Sequence, residues 1–600
     1  QLNQLITQPL NESIKQEQSM IINNMTILMG GDAGQGLDST GSGFCKSLAR
    51  AGLQVFSVQD NRSRIRGGHN FYVIKTSDQP IVSWTEPVQV LIALTEESIG
   101  IHQSKIVPGG AVIFDSEMNV DQEALKQKQI KPIAVPLGKI AQEVGGSKVM
   151  ANTAALGALA GLTQFPMEHI FSVIRDNFKK KGEQVVEINA KVSQGAYDFV
   201  RQNYPDSFGW KLQAVKAPER MVMNGNEAIA LGALVGGCNF TAAYPMTPGT
   251  SIFEWLNKNA DKYGIVSKQA EDEIAAINMA IGAAHVGARA LVPTSGGGFS
   301  LMVEALGLAG MTETPVVIVL AQRPGPSTGL ATRTEQADLL FALHASQGEF
   351  PRFIIAPGDT KQCFEAGARA FNLAEKYQTP AIILTDDFLA TSNRTIDKSE
   401  IDFSKIKIER GKLLTDADLD RFQGEYKRHA YVEDGVSPRA LPGHPKAVFR
   451  TTSDEHNEVG EIIEDAETRI RMHEKRMKKL ETALPDMNGP ILYGPEIAET
   501  TFICWGSTLA PLQAAVQELN QAKKNSANIL QFVDLWPLNE QKIRPYFKKA
   551  GRLIAVEGNF TGQLATLLKM TLGIEVAGKI LKYDGRPFSP EYILRQFEKF

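Results

Sequence analysis

The sequence predicts a multidomain α/β protein built on doubly wound sheets. Three observations lead there. Residues 26–59 form a strand–Gly turn–helix–strand unit, residues 226–385 alternate strand-like and helical stretches, and a new alternation starts at Thr500. At 600 residues the chain is too long for one hydrophobic core, so three or four domains are expected.

Residues 1–24 are polar and Gln/Asn-rich. They lack the basic start and apolar stretch of a secretory signal and read as an arm that packs on a neighbour or moves freely. Residues 25–205 read as a first α/β domain. Its apolar run at 26–29 ends in Gly30-Gly31, a Gly-rich turn reaches Gly36, a helix runs to Arg50, and 54–59 is the next strand, the opening of a parallel sheet. Residues 206–220 read as a linker. A second α/β domain spans 221–395, with helices at 226–236, 271–286 and 299–310 and strands at 289–293, 315–321, 353–356 and 381–385. Residues 396–490 form a charged connecting segment. Its 460–484 stretch predicts a long helix, acidic early and basic late, which suits the helix dipole and a solvated face. Residues 491–600 complete a third unit, with strands at 501–505, 529–533 and 553–556.

Composition narrows the function classes. Hydrophobic residues make up 43%, charged residues 22%, and the net charge is −4, so the basic footprint of a nucleic-acid binder is missing. No apolar run reaches the roughly 18–20 residues of a membrane span. The cysteines, Cys45, Cys238, Cys363 and Cys504, form no Cys-x-x-Cys pair. They read as scattered buried thiols of a cytoplasmic, reducing environment, without the local spacing of an iron–sulfur cluster.

Five stretches are suited to chemistry. Glycines 30, 31, 34 and 36 permit close backbone approach to a phosphate, and the helix that follows favours an anion. Leu37-Asp38 replace the Lys-Ser/Thr of an NTPase loop, so a tight structural turn and a nucleotide-binding turn both stay open. Arg62, Arg64 and Arg66 alternate before Gly67-Gly68. If extended, they form a cationic stripe for phosphates or carboxylates; a solvated edge fits equally. In Tyr244-Pro245-Met246-Thr247-Pro248, two prolines fix the backbone around the Thr247 hydroxyl, as a structural loop or a ligand-facing donor. Glu271-Asp272-Glu273 opens an otherwise apolar helix. An acidic cap is the simple reading, but a helix apolar on all faces should be buried, and a desolvated carboxylate at its start suits a cofactor nitrogen. Finally Thr294-Ser295-Gly296-Gly297-Gly298 precedes a Gly/Pro-rich loop carrying Arg323 and Arg333, the composition of an anion-binding loop.

Together these motifs, in this order, resemble the 2-oxoacid:ferredoxin oxidoreductase family, in its α-subunit type with a fused γ domain. The likeness runs from about residue 25 to 600. Tyr244-Pro245-Met246-Thr247-Pro248 matches the family's Tyr-Pro-Ile-Thr-Pro, with Met246 in place of Ile. The resemblance implies sheets like the pyrimidine-binding and C-terminal domains of thiamine diphosphate enzymes, plus an N-terminal γ-type domain. It implies CoA-dependent oxidative decarboxylation of a 2-oxoacid, with 2-oxoglutarate favoured and pyruvate or broad specificity open, and electrons passed to ferredoxin. Glu273 is then similar to the carboxylate that sits against the aminopyrimidine and promotes its imino tautomer. Thr247 is similar to the hydroxyl that contacts substrate. Arg333, with Arg323 second, is expected on the substrate carboxylate, Tyr244 and Pro245 beside the cofactor, and Gly34, Gly36 and Arg66 near coenzyme A. The chain has no Gly-Asp-Gly for a metal-bound diphosphate and no cluster cysteines. No metal site is expected on it. A β-type partner should carry the diphosphate site, magnesium and the [4Fe–4S] cluster, in a dimer of heterodimers.

Two rivals stand beside this. A self-contained thiamine enzyme such as a transketolase needs the missing metal–diphosphate motif. A non-catalytic nucleotide- or acyl-CoA-binding protein would explain the Gly turns but not Glu273 and Thr247 together.

Overall fold

Apolar runs decide the architecture. Val317–Gln322 and Ala381–Asp386 are buried at every position and pair in parallel, so both faces of their sheet are covered. The computed structural model describes residues 20–62 and 68–600, so most of the N-terminal arm and Arg64, Arg66 and Gly67 of the cationic stripe lie outside the described residues.

Three large sheets organise the chain. The middle one has the order Val266–Gln269, Phe240–Ala243, Ala290–Thr294, Val317–Gln322, Ala381–Asp386, Phe353–Ile355, all parallel. Its seventh strand, Asp534–Trp536, arrives antiparallel from the C-terminal unit. The C-terminal sheet runs Ile491–Tyr493, Ala527–Phe532, Thr500–Trp505, Arg552–Glu557, Gly578–Leu581, with the first strand antiparallel.

The N-terminal sheet corrects the expectation of a parallel sheet. Lys131–Val135, Ile106–Asp115, Val88–Ala93 and Met25–Asp32 are parallel. Beyond them His69–Ser77, Gln54–Asp60, Arg394–Asp397 and Arg220–Met223 follow, each antiparallel to its neighbour. The strand missed in the sequence, His69–Ser77, wedges between 25–32 and 54–60. Arg220–Met223 and Arg394–Asp397 flank the middle sheet in sequence, so each passage between the two units is stitched into the N-terminal sheet.

The connecting segment also departs from expectation. Its helix is Ala466–Ala483, shorter than predicted, and its basic half is not solvated: Lys475, Arg476 and Lys479 are buried. Arg476 pairs with Glu455 at 2.6 Å, and Glu313, fully buried on the middle unit, receives Lys475 at 2.6 Å, Lys479 at 2.5 Å and His429 Nδ1 at 3.0 Å. Burial opposes its charge, but Lys475, Lys479 and His429 together hold the carboxyl well below the usual range. A second carboxylate, Glu375, takes Arg289, Arg410 and Arg439 at 2.6–3.1 Å. Charges that read as a solvated face are thus the segment's anchors. The four cysteines are buried free thiols; burial pushes Cys45 and Cys238 up to about 12.

Removing one partner of a buried charge cluster leaves the others uncompensated. Glu313→Gln is expected to lower stability by about 3–5 kcal/mol, read as a fall in the urea midpoint. An unchanged midpoint would show that the cluster does not hold the segment.

Candidate active site

In parallel sheets of this kind ligands bind beyond the carboxyl ends of the strands. Here four strand ends converge. Phe240–Ala243 leads into Tyr244-Pro245-Met246-Thr247-Pro248, Ala290–Thr294 into Ser295 and the Gly296–Met311 helix, Val317–Gln322 into Arg323, and Ala381–Asp386 into Asp387.

The proline-framed loop is held from below. Asn226 Nδ2 donates to the Pro248 carbonyl at 2.7 Å and to Ser251 Oγ at 2.8 Å. The Thr247 carbonyl accepts Arg323 Nη1 at 2.8 Å, and the Gly298 N–H points at Met246 Sδ, 3.2 Å away. Tyr244, Pro245 and Thr247 are exposed. One loop therefore gathers Thr247, Arg323, Met246 and Gly298.

Glu273 is the first residue of the Glu273–His285 helix and is only 3% exposed. The helix already has its cap, because Asp272 Oδ1 accepts the Ala275 N–H at 2.7 Å. Glu273 is thus free of that task, and its Oε1 is buried with no hydrogen-bond partner. Such an atom is costly unless a ligand supplies the donor. The space is cut by Gly298, where a Cβ would stand 2.6 Å from Glu273 Oε1 and 2.2 Å from Thr294 Oγ1. A ligand N–H is the donor this carboxylate lacks.

The same helix is not buried all round, as its composition had suggested. Ile274, Met279 and Val286 are 40–61% exposed, beside Leu301 at 50% on the adjoining helix. An apolar face of this kind next to a site marks a contact surface.

Arg333 is held in an ion pair. Its Nη1 is 2.5 Å from Asp60 Oδ1 on the N-terminal sheet, and Arg586 approaches the other oxygen at 3.4 Å. Its neighbours act as a clasp. Thr332 donates to the Asn61 carbonyl, Thr334 to Asp386, and Gln336 bonds to Trp505, Thr508 and Gly558. The loop read as anion-binding therefore divides: Arg323 joins the Thr247 loop, and residues 332–336 bolt three units together. Sequence reasoning missed Asp60 and Asp387. Burial and the adjacent Asp386 push Asp387 up to about 7, opposed by Arg333 and Arg323. Its only signal in the sequence was the paired Asp386-Asp387 at a strand end.

The first Gly turn sits at the far side of this seam. Gly34 and Gly36 have φ of 92° and 72°, which glycine adopts without strain. They line a crevice of about 770 Å³ at the carboxyl ends of the parallel strands of the N-terminal sheet. Asn61 and Asp60, which touch Thr332 and Arg333, place the N-terminal unit against the middle one at this edge.

Comparison with known proteins gives the family. Residues 231–475 match a family model described as pyruvate flavodoxin/ferredoxin oxidoreductase, thiamine diphosphate-binding, and residues 26–199 match one described as pyruvate ferredoxin/flavodoxin oxidoreductase. The α subunit of a 2-oxoacid:ferredoxin oxidoreductase from Sulfolobus sp. is 35% identical over 94% of each chain. This chain belongs to the 2-oxoacid:ferredoxin oxidoreductase family. Within the family, the 2-oxoglutarate oxidoreductase subunit KorA of Mycobacterium tuberculosis is 28% identical over 96% of this chain and 91% of its own. The solved 2-oxoglutarate:ferredoxin oxidoreductase of Magnetococcus marinus, with 2-oxoglutarate, coenzyme A and succinyl-CoA bound, superposes with a TM-score of 0.88 at 31% identity, over 96% of this chain and 99% of that one. The α/β architecture and the α-subunit character of this oxidoreductase chain stand on these matches. No helix among the described residues is long and apolar enough to cross a membrane.

Asp387 yields a pH prediction. Its folded pKa lies above the unfolded value of 3.8, so the folded state keeps a proton that the unfolded state releases. Stability from this group is lost as pH rises from about 4 through about 7. In Asp387→Asn that loss should vanish, so the Tm difference in favour of the variant should grow across this window and level off above it. Parallel Tm–pH curves would contradict the assignment.

Proposed function

We propose that this chain is the α-type half of an enzyme that oxidatively decarboxylates 2-oxoglutarate to succinyl-CoA and CO2, passing two electrons to ferredoxin. The carrying observation is the buried, unpartnered Glu273 Oε1 over Gly298, beside Thr247 and Arg323. Two relatives named for 2-oxoglutarate support the substrate. The thiamine diphosphate that such a site would take supplies, when bound, a nucleophilic carbon that adds to the 2-oxo group and stabilises the carbanion left by CO2.

The chain's own residues act around it. Glu273, buried with Oε1 unpartnered, would accept a hydrogen bond from a ring nitrogen of the cofactor and hold the proton shared there. Gly298 makes room for the Glu273 carboxylate, and the Met246 thioether beside the Gly298 N–H would border the same site. Thr247 offers its hydroxyl to the substrate, with Tyr244 and Pro245 bounding the approach. Arg323, already at the Thr247 carbonyl, is the better placed cation for the substrate carboxylate; Arg333 serves the seam through Asp60. Gly34 and Gly36 open the crevice for coenzyme A, and Arg66 is a further contact proposed there.

The rest of the site belongs to a partner. The exposed Ile274, Met279, Val286 and Leu301 face is where a β-type subunit would dock, bringing the diphosphate anchor, magnesium and a [4Fe–4S] cluster. A dimer of such heterodimers serving ferredoxin is the proposed assembly. This chain purified alone should bind no iron and turn nothing over; turnover without a partner would defeat the reading.

An anaerobic assay of the co-purified complex with a viologen acceptor and a panel of 2-oxoacids tests the substrate. Succinyl-CoA should form fastest, and acetyl-CoA formation from pyruvate alone would reverse the assignment. Glu273→Gln should lower kcat by at least about 100-fold, the loss of a group acting in the transition state. Arg323→Ala should raise the KM for the 2-oxoacid by about tenfold or more, and Arg333→Ala less, since a charged hydrogen bond contributes about 1.5–3 kcal/mol. Equal effects with an unchanged Tm for Arg333→Ala would return Arg333 to the substrate.

A further inference from the structure

Two helices at the carboxyl edge of the middle sheet begin with a pair of acids. Asp272-Glu273 opens one and Asp386-Asp387 opens the other. In both, the first acid does the capping. Asp272 accepts the Ala275 N–H, and Asp386 Oδ1 accepts the Leu389 N–H at 3.2 Å and the Thr334 hydroxyl at 2.9 Å. In both, the second acid is left over. Glu273 keeps Oε1 without a partner. Asp387 accepts Thr391 Oγ1 at its backbone carbonyl, at 2.7 Å, and its carboxyl enters no hydrogen bond or ion pair among the described residues. Glu273 faces the cradle at Gly298; Asp387 faces two arginines.

Strand register puts them there. Val317–Gln322 and Ala381–Asp386 pair in parallel with Gln322 opposite Asp386. Arg323 and Asp387 therefore leave neighbouring strands side by side, roughly one strand spacing of about 4.8 Å apart along the backbone. Thr334 donates to Asp386 and accepts the Phe388 N–H at 3.2 Å, so the residue after Arg333 spans Asp387. The charged groups around Asp387 are Asp386 before it in the chain, Arg323 from the next strand end, Arg333 from the clasp and Asp60 from the N-terminal sheet. Arg333 is already paired with Asp60. Arg323 gives one N–H to the Thr247 carbonyl and has no ion-pair partner among the described residues.

A guanidinium with open donors and a carboxyl with no partner thus stand next to each other without bonding. A ligand carboxylate can bond to both. The guanidinium donates to one oxygen, and Asp387, when protonated, donates its O–H to the other. Ionised, Asp387 would repel the same carboxylate. Burial and Asp386 push Asp387 up to about 7, so its proton is at hand near neutral pH.

We propose that Asp387 is a further residue of the 2-oxoacid site: with Arg323 it grips the substrate carboxylate, and it takes up one proton as the substrate enters. This role rests on the 2-oxoacid reading given above. Binding and protonation are coupled, because the incoming negative charge makes Asp387 hold its proton more tightly. Once substrate is bound, the proton stays. Asp387 then governs how well the 2-oxoacid binds at a given pH, and leaves the chemical step to Glu273 and the cofactor.

The pH dependence of KM tests this. The complex of the full chain with its β-type partner is assayed anaerobically between about pH 6 and 9, with the 2-oxoacid it turns over fastest. Wild type, Asp387→Asn and Asp387→Glu are compared. In wild type the KM should be level at the acid end and then rise about tenfold per pH unit, since one proton is needed for binding. Asp387→Asn keeps an N–H donor but cannot ionise, so its KM should stay within about threefold of the acid-end value throughout. Asp387→Glu keeps a titrating carboxyl and should rise as wild type does. The pH profile of kcat should be the same in wild type and Asp387→Asn, which a merely structural role would not separate from KM. A wild-type KM that does not change with pH overturns the proposal, and so does an equal rise in Asp387→Asn. A wild-type complex inactive toward every 2-oxoacid would instead remove the reading on which it rests.

Discussion

The ion pair of Asp60 with Arg333 is the joint on which the rest depends. Each side chain is nearly buried; Asp60 ends a strand of the N-terminal sheet and Arg333 lies in the loop after Val317–Gln322, so the pair sets the carboxyl edge of the N-terminal sheet against that of the middle one. Removing either would strand a charge at a dry seam, which is far costlier than losing an exposed pair. Thr332, Thr334 and Gln336 extend the joint to Asn61, Asp386 and the C-terminal unit. With that edge fixed, the Gly34 crevice and the Thr247 loop open toward one another.

Inside the site the decisive arrangement is a division of labour between neighbouring acids. Asp272 caps the helix, and Glu273 is left buried and unpaired. A helix start offers stabilisation to any nearby carboxylate, so an acidic pair is required if one member is to stay available. Gly298 completes the cradle, since any side chain there would collide with the Glu273 carboxylate. The same helix also carries the exposed apolar residues Ile274 and Met279.

Buried charge clusters join the connecting segment to the middle unit. Glu313 and Glu375 each gather three basic or imidazole groups, and together they tie the connecting segment to the middle unit. Three strands exchanged between units do the same for the sheets. The consequence is that the site of the middle unit is backed by both the connecting segment and the N-terminal sheet.

The sequence by itself determined the α/β class, most strands and helices, and the motifs that mark the family, because apolar periodicity and Gly/Pro placement are local properties. It also singled out Glu273 and Thr247, whose settings are written in their immediate neighbours. Tertiary structure alone decided what the charges do. Arg333 and Arg323 lie in one loop and look alike in sequence, yet Asp60, some 270 residues away, claims the first and leaves the second at Thr247. Lys475 and Lys479 look solvated until Glu313 buries them. The strand His69–Ser77 was hidden because an antiparallel insertion has no signature in a parallel pattern. Long-range partners determine where a charge goes, and a chain read along its length cannot show them.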